Sequence, residues 1–162
     1  MNTPGSTSPK PISAEQMSRA AQLVQLAGRD VEQDCADYQG LQGLMKSLYD
    51  SLLQRNCEQI ELLNQQIMVL IEFIATRSER RRKILAAFGA PASASNLGML
   101  KLLRMAPESE RLLASWAQLE TLVLETKKLN ERNGKLLAMH NEIISQILSG
   151  QQSEQVYSPQ YY

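Results

Sequence analysis

The chain has 162 residues, which is enough for one domain with a modest core. It carries 17 basic and 17 acidic side chains, and this balance excludes the strongly basic composition of most nucleic-acid-binding domains. Only 5% of the residues are aromatic, and Leu and Ile supply most of the apolar mass. Such a composition suits helix-on-helix packing better than a β-sandwich, so we predict an all-α fold.

The first 12 residues are polar and predict a disordered tail with no signal peptide. A helix then begins at Ser13, where Ser13 and Gln16 fit the capping-box pattern, and extends to about Gln54. Glycine weakens a helix, so we expect a break or bend near Gly28 or Gly40.

The second helix shows the clearest apolar pattern in the chain. Its seam alternates at steps of three and four residues and consists of Ile60, Leu63, Ile67, Leu70, Ile74, Arg77, Arg81, Ile84 and Phe88. This period is typical of a helix that packs along another helix. Gly89 followed by Pro91 predicts its end.

A loop of small residues over 90–96 and a short helix over 97–104 come next. The last predicted helix extends from about Pro107 to Ser149 and is closed by Gly150. We therefore predict a single helical domain over 13–150, a long antiparallel hairpin or bundle with a short connecting helix, and a flexible tail over 151–162.

Two asparagines interrupt the apolar seam of the last helix. Asn130 and Asn133 either fix the register between helices, a known use of buried asparagine, or hydrogen-bond a partner protein. Gly134 follows them inside the helix, where it permits the close approach of another helix or a kink. The pattern alone leaves these alternatives open.

An apolar strip, called here the C-terminal strip, follows on the same helix. It consists of Leu136, Leu137, Ile143, Ile144, Ile147 and Leu148. Full burial would contribute about 1.5–3 kcal/mol per side chain, so a bare strip is a poor solution for a monomer. Either the first helix covers it or a partner does.

The remaining chemistry-bearing residues give little sign of catalysis or metal binding. Cys35 and Cys57, with His140 as the one histidine, cannot form a four-ligand zinc site without carboxylates, so we expect free thiols. No phosphate-binding loop or nucleophile–histidine–acid spacing is visible, and we predict no catalytic residue, cofactor or metal. The basic run Arg77–Lys83 lacks interleaved aromatics, which favours a solvated helix end over a nucleic-acid site.

Residues 129–137 read Leu-Asn-Glu-Arg-Asn-Gly-Lys-Leu-Leu, with Asn141 and Leu148 further on. This block resembles the C-terminal signature of the FlgN family of flagellar export chaperones. Trp116 with Leu119, and the arginine-rich stretch before Gly89, also resemble the family pattern. The tail departs from it, because the family has glycines around its tail tyrosine and this chain has none there.

The resemblance implies a cytoplasmic chaperone that binds the first and third hook-associated proteins, the hook–filament junction proteins, and delivers them to the export apparatus at the inner membrane. It implies partner binding by Leu129, Asn130, Asn133, Gly134, Leu136, Leu137, Ile143, Ile144, Ile147 and Leu148, and docking to the export gate by Tyr157. No apolar stretch is long enough to span a bilayer, so we predict no membrane insertion. A self-assembling structural coiled coil explains the seams equally well and is the alternative prediction.

Overall fold

The computed structural model describes residues 10–90 and 95–155. These residues form four helices, α1 (Ala14–Gln54), α2 (Cys57–Ala87), α3 (Ser95–Arg104) and α4 (Ser109–Gln155), and no strand. The predicted all-α fold, with long helices and a short one between them, is confirmed. Most of the predicted N-terminal tail, Pro91 and Tyr157 lie outside the described residues.

The start of α1 is fixed by the predicted capping box. The Ser13 backbone N–H donates to Gln16 Oε1 at 2.9 Å, and the Gln16 N–H donates to Ser13 Oγ at 3.2 Å. Two backbone donors that have no partner inside the helix are thereby satisfied. The predicted cap is confirmed.

The predicted break at Gly28 or Gly40 is wrong, because α1 is one uninterrupted helix, and a bend at either glycine stays a prediction. At Gly28 an added Cβ would lie 2.7 Å from Cδ1 of Leu112, so this glycine lets α4 approach closely. At Gly40 the nearest atom to an added Cβ is Leu70 Cδ1, at 3.6 Å. Packing of neighbouring helices therefore offsets the low helix propensity of these glycines.

Two short turns delimit α2. Arg55 adopts a positive φ of 54°, and Asn56 Oδ1 accepts the Gln59 N–H at 3.1 Å as the cap of α2. At the other end Gly89 has φ 76°, and the N–H of Ala90 donates to Leu85 O at 3.0 Å. This left-handed glycine closes the helix as predicted.

The bounds of α4 differ from the prediction at both ends. Pro107 and Glu108 form a turn, and α4 begins two residues later at Ser109. The predicted end at Gly150 is wrong, because α4 continues to Gln155. Gly150 has nothing within 4 Å of an added Cβ and keeps helical geometry, so it does not act as a terminator here.

The chain contacts divide into two compact units, to which α1, α2 and α4 all contribute residues. Unit 1 contains the described residues up to Gln33 and those of Arg77–Trp116. Its interior includes Val31, Met99 and Leu103, all at most 1% exposed. Arg80 also forms a two-bond ion pair there with Asp30, a carboxylate that is buried.

Unit 2 contains Asp34–Thr76 and the described residues from Ala117 onwards. Its core cluster consists of Leu41, Met45, Ile67 and Ile74, with Tyr38, Leu44, Leu48, Leu70 and Leu129 packed against it. Gln42 of α1 donates to the Leu122 carbonyl oxygen and to Thr126 Oγ1 of α4. Unit 2 is thus a three-helix arrangement of α1, α2 and α4, and it carries the predicted partner-binding residues.

The prediction of one domain over 13–150 is not decided by this division and stays a prediction. In the part of the chain that the structure describes, no helix is long and apolar enough to cross a membrane.

Candidate functional site

The C-terminal strip lies on the part of α4 that has few neighbours in unit 2. Five of its six side chains are exposed, namely Leu137 (49%), Ile143 (39%), Ile144 (52%), Ile147 (55%) and Leu148 (56%), and Leu136 is partly buried. Every residue from Asn141 to Gly150 is exposed. Large aliphatic side chains at helical spacing are therefore open to solvent over this stretch.

The length of the helices explains this exposure. The α1–α2 hairpin turns at Arg55 and Asn56, so it offers packing partners only up to that level. Between Asn133 and Gly150, the α4 residues that are not classed as exposed are Asn133, Leu136 and His140. The 15 residues from Asn141 to Gln155 extend the helix by roughly 22 Å at 1.5 Å per residue.

A groove adjoins the start of the strip. It has a volume of about 690 Å³, and its lining is mainly apolar. Leu137 forms the α4 side, and the other lining residues are Leu52, Cys57, Ile60, Glu61, Asn64, Gln65 and Met68. The strip and the groove thus share Leu137 and together form a continuous surface, called here the open surface, on unit 2.

The two asparagines of the family-like block have different environments. Asn133 is 5% exposed, and its Nδ2 donates to the Met45 carbonyl oxygen of α1 at 2.8 Å. Asn130 is exposed. The hydrogen bond places Asn133 in the contact between α4 and α1, where it fixes their register.

The ten residues predicted to bind a partner therefore fall into two groups. Leu129 and Asn133 lie in the packing of unit 2 and are not on the open surface, with Leu136 at its edge. The other seven, Asn130, Gly134, Leu137, Ile143, Ile144, Ile147 and Leu148, are exposed. At Gly134 no atom lies within 4 Å of an added Cβ, so none of the four helices described above approaches this glycine closely.

The sequence did not predict that residues of α2 form one side of the groove. Ile60 was predicted to belong to the packed seam, while Asn64 and Met68 were not singled out. Met68 is 54% exposed, and its position within an apolar stretch gave no indication of which side of α2 it occupies. A helical wheel anchored on the buried Ile67 would have placed it off the seam.

Three arginines of the basic run at the end of α2 are paired or buried within the chain. Arg80 pairs with the buried Asp30, and Arg81 is itself buried. Arg82 pairs with Glu79 on the same helix, and this hydrogen bond holds the pKa of the Glu79 carboxyl below its usual range. The prediction of a solvated helix end is therefore wrong for Arg81, which is buried as its place in the predicted seam requires, whereas Arg80 stays exposed with its charge paired to Asp30.

Cys35 is buried and Cys57 exposed, and both are free thiols. No group of three or more His, Cys, Asp or Glu side chains that could hold a metal ion occurs among residues 10–90 and 95–155.

The residues that the structure describes form long helices without strands, with an apolar helix face exposed to solvent, and such faces are typical of proteins that bind partners by helix packing. The family model for the FlgN protein matches residues 15–160 of the chain. The chain therefore belongs to the FlgN family. FlgN proteins are flagellar export chaperones and are not known as enzymes. No curated protein and no solved structure matched the chain.

Proposed function

We propose that this chain is a cytoplasmic, non-enzymatic chaperone that binds the helical terminal segment of the first and third hook-associated proteins. It keeps that segment from assembling prematurely and brings it to the flagellar export apparatus at the inner membrane. Membership of the FlgN family supports the chaperone role. The observation that carries the cargo site is the exposure of the C-terminal strip beside an apolar groove.

A guest helix fits this surface by ordinary helix-in-groove packing. The strip offers apolar anchors at Leu137, Ile144 and Ile147 with spacings of seven and three residues, which lie on adjoining rows of one helix. The guest would turn its own apolar face to the strip and leave its polar face in water. The same contact hides the guest residues that drive its assembly.

The strip alone is too small for tight binding. Five half-exposed aliphatic side chains contribute roughly 4–8 kcal/mol when they are fully covered, before the cost of association. A micromolar complex needs a net of about 8 kcal/mol. The guest must therefore gain further contacts, and the groove walls at Ile60 and Met68 are the adjacent apolar surface that supplies them.

Charge contributes little to this contact. The groove carries one charged side chain, Glu61, and the five exposed strip residues are all aliphatic. We therefore expect an affinity that changes little with salt and a negative heat-capacity change of binding, because apolar burial dominates.

Size-exclusion chromatography with purified hook-associated protein tests the proposal. The expected result is co-elution with one cargo molecule per chaperone chain, and loss of co-elution when the cargo lacks its terminal helical segment. Isothermal titration at two salt concentrations measures the affinity. Absence of a complex with folded, full-length cargo would contradict the proposed function.

Docking to the export gate is a separate part of the proposal. The family resemblance assigns it to Tyr157, which lies outside the described residues. Tyr157→Ala is expected to leave cargo binding unchanged and to weaken the contact with the gate, which separates the two roles in one variant.

A further inference from the structure

A pocket lies in unit 1, where α3 packs on the end of α2. Gly98 makes this packing close, because an added Cβ there would lie 3.2 Å from Leu85 Cδ2 and 3.4 Å from Ala90 Cβ. The same three residues line a pocket of about 290 Å³, called here the α3 pocket. Its other apolar walls include Phe88, Leu97, Leu102 and Met105. The α3 pocket therefore belongs to unit 1 and is not part of the open surface.

The α3 pocket has room for one large side chain. An engineered apolar cavity of about 150 Å³ already takes up a benzene ring, and the α3 pocket is larger. Of its walls, Leu85 and Leu102 are buried, whereas Leu97 and Met105 are 55 and 59% exposed. A ligand that fills the pocket would therefore remove apolar surface from water, which favours association.

The edge of the pocket carries positive charge. Of the described residues that line it, Lys101 alone is charged, and Lys101 is exposed. Arg104 follows three positions later, so the two cations are neighbours on the outer face of α3. Neither has an ion-pair partner among the described residues. Both lie in the last turn of α3, where the helix dipole supplies about half a negative charge and offsets only part of their two positive charges.

The surrounding sequence shows the same excess of positive charge. From Arg80 to Pro107 the chain has six basic residues and no acidic one, although the whole chain is neutral. Arg80 and Arg82 pair with Asp30 and Glu79, which precede this stretch. The two cations of α3 have no such counterpart in the described part of the chain, so their charge is open to a ligand.

A ligand that complements this site has an apolar group and a negative charge side by side. An acidic protein segment supplies both, because a phenylalanine or leucine between glutamates or aspartates carries carboxylates next to its side chain. Clustered cations recognise acidic motifs in many complexes. An anionic bilayer is the poorer match, because its surface would not fill a pocket and two cations attract it only weakly.

We propose that the α3 pocket binds an acidic segment of a partner protein, which inserts one large apolar side chain into the pocket and sets a carboxylate beside Lys101. Arg104 pairs with a second carboxylate of the same segment. Burial of the apolar side chain gives affinity, and the two ion pairs select acidic flanks. This site is separate from the proposed cargo site and does not depend on it.

A short peptide is the probe, namely Glu-Glu-Phe-Glu-Glu with acetylated and amidated ends. Added to the ¹⁵N-labelled full chain, it should shift the amide resonances of Gly89, Gly98 and Lys101, with a dissociation constant of about 1 mM that rises with salt. Replacing its Phe with Ala should weaken binding at least about tenfold. Replacing its four Glu with Lys should abolish the shifts.

Lys101→Glu should weaken binding of the probe at least about fivefold, because an ion pair becomes a repulsion. Lys83→Glu is the matched control. It makes the same change in net charge at an exposed position of α2 that does not line the pocket, and it should leave the dissociation constant within about twofold. Both sites are exposed, so we expect the free energy of unfolding and the cargo affinity to stay as in wild type.

Three results would overturn the proposal. The first is the absence of shifts at Gly89 and Gly98 with the probe at about 5 mM. The second is equal binding of the alanine peptide, or an equal loss in Lys101→Glu and Lys83→Glu, since binding is then a nonspecific effect of charge. The third is sedimentation of wild type, but not of Lys101→Glu, with vesicles of phosphatidylglycerol and phosphatidylethanolamine while the peptide does not bind, which assigns this surface to the membrane.

Discussion

We expect that replacing both Leu137 and Ile144 with aspartate removes the proposed cargo binding and leaves the free chain folded. The two side chains are 49 and 52% exposed, so their substitution costs the isolated protein little, within about 1 kcal/mol. In the complex the same positions would bury unpaired carboxylates against an apolar guest helix. We expect the affinity to fall at least about a hundredfold.

The readouts are circular dichroism, thermal unfolding and titration with cargo. Ala138→Asp is the matched control, because Ala138 is also exposed on the same stretch of α4 but lies on the side of the helix away from the strip. This control should bind cargo like wild type. If the double variant unfolds, the strip is part of a core, and the open surface does not exist in solution.

Truncating Leu103 to alanine is expected to lower the free energy of unfolding by about 2–5 kcal/mol. Leu103 of α3 is fully buried in unit 1, and its loss leaves a cavity that the neighbouring helices cannot close completely. For a chain of this size the midpoint of thermal unfolding would fall by roughly 5–15 °C.

Leu97→Ala is the control for this change on the same helix. Leu97 is 55% exposed, and we expect a loss of no more than about 1 kcal/mol. Chemical denaturation of both variants measures the difference. Equal losses of unfolding free energy in the two variants would show that α3 does not pack in unit 1 as described. Cargo affinity should be unchanged in both variants.

The helix ends were predictable from sequence where a local interaction decides them. Ser13 and Gln16 cap each other, and Gly89 adopts the left-handed conformation that glycine tolerates best. These signals depend on a few adjacent residues. They hold without knowledge of the tertiary structure.

The role of the internal glycines was not predictable in this way. Gly28 lies against Leu112, 84 positions later in the chain, and Gly134 faces open space. The same residue type in the same kind of helix thus serves packing at one site and has no intrachain neighbour at the other. Only the placement of the other helices distinguishes the two.

The candidate site shows the same limit. The composition of the C-terminal strip indicated that it must be covered by something, but not whether this chain covers it. Asn130 and Asn133 are three residues apart and looked alike in sequence, yet Asn133 bonds α1 and Asn130 is exposed. A rotation of α4 by a fraction of a turn would exchange them, and periodicity does not fix that rotation.

Hydrogen exchange along α4, with and without the terminal segment of a hook-associated protein, tests most directly whether the open surface receives a guest. In the free chain we expect rapid exchange of the amides from Asn141 to Gly150 and slow exchange around the buried Leu122 and Thr126. Cargo should slow exchange over 137–150 and leave that of the buried part unchanged. Amides that are already protected in the free chain, or a cargo complex that forms without slowing their exchange, would contradict the account.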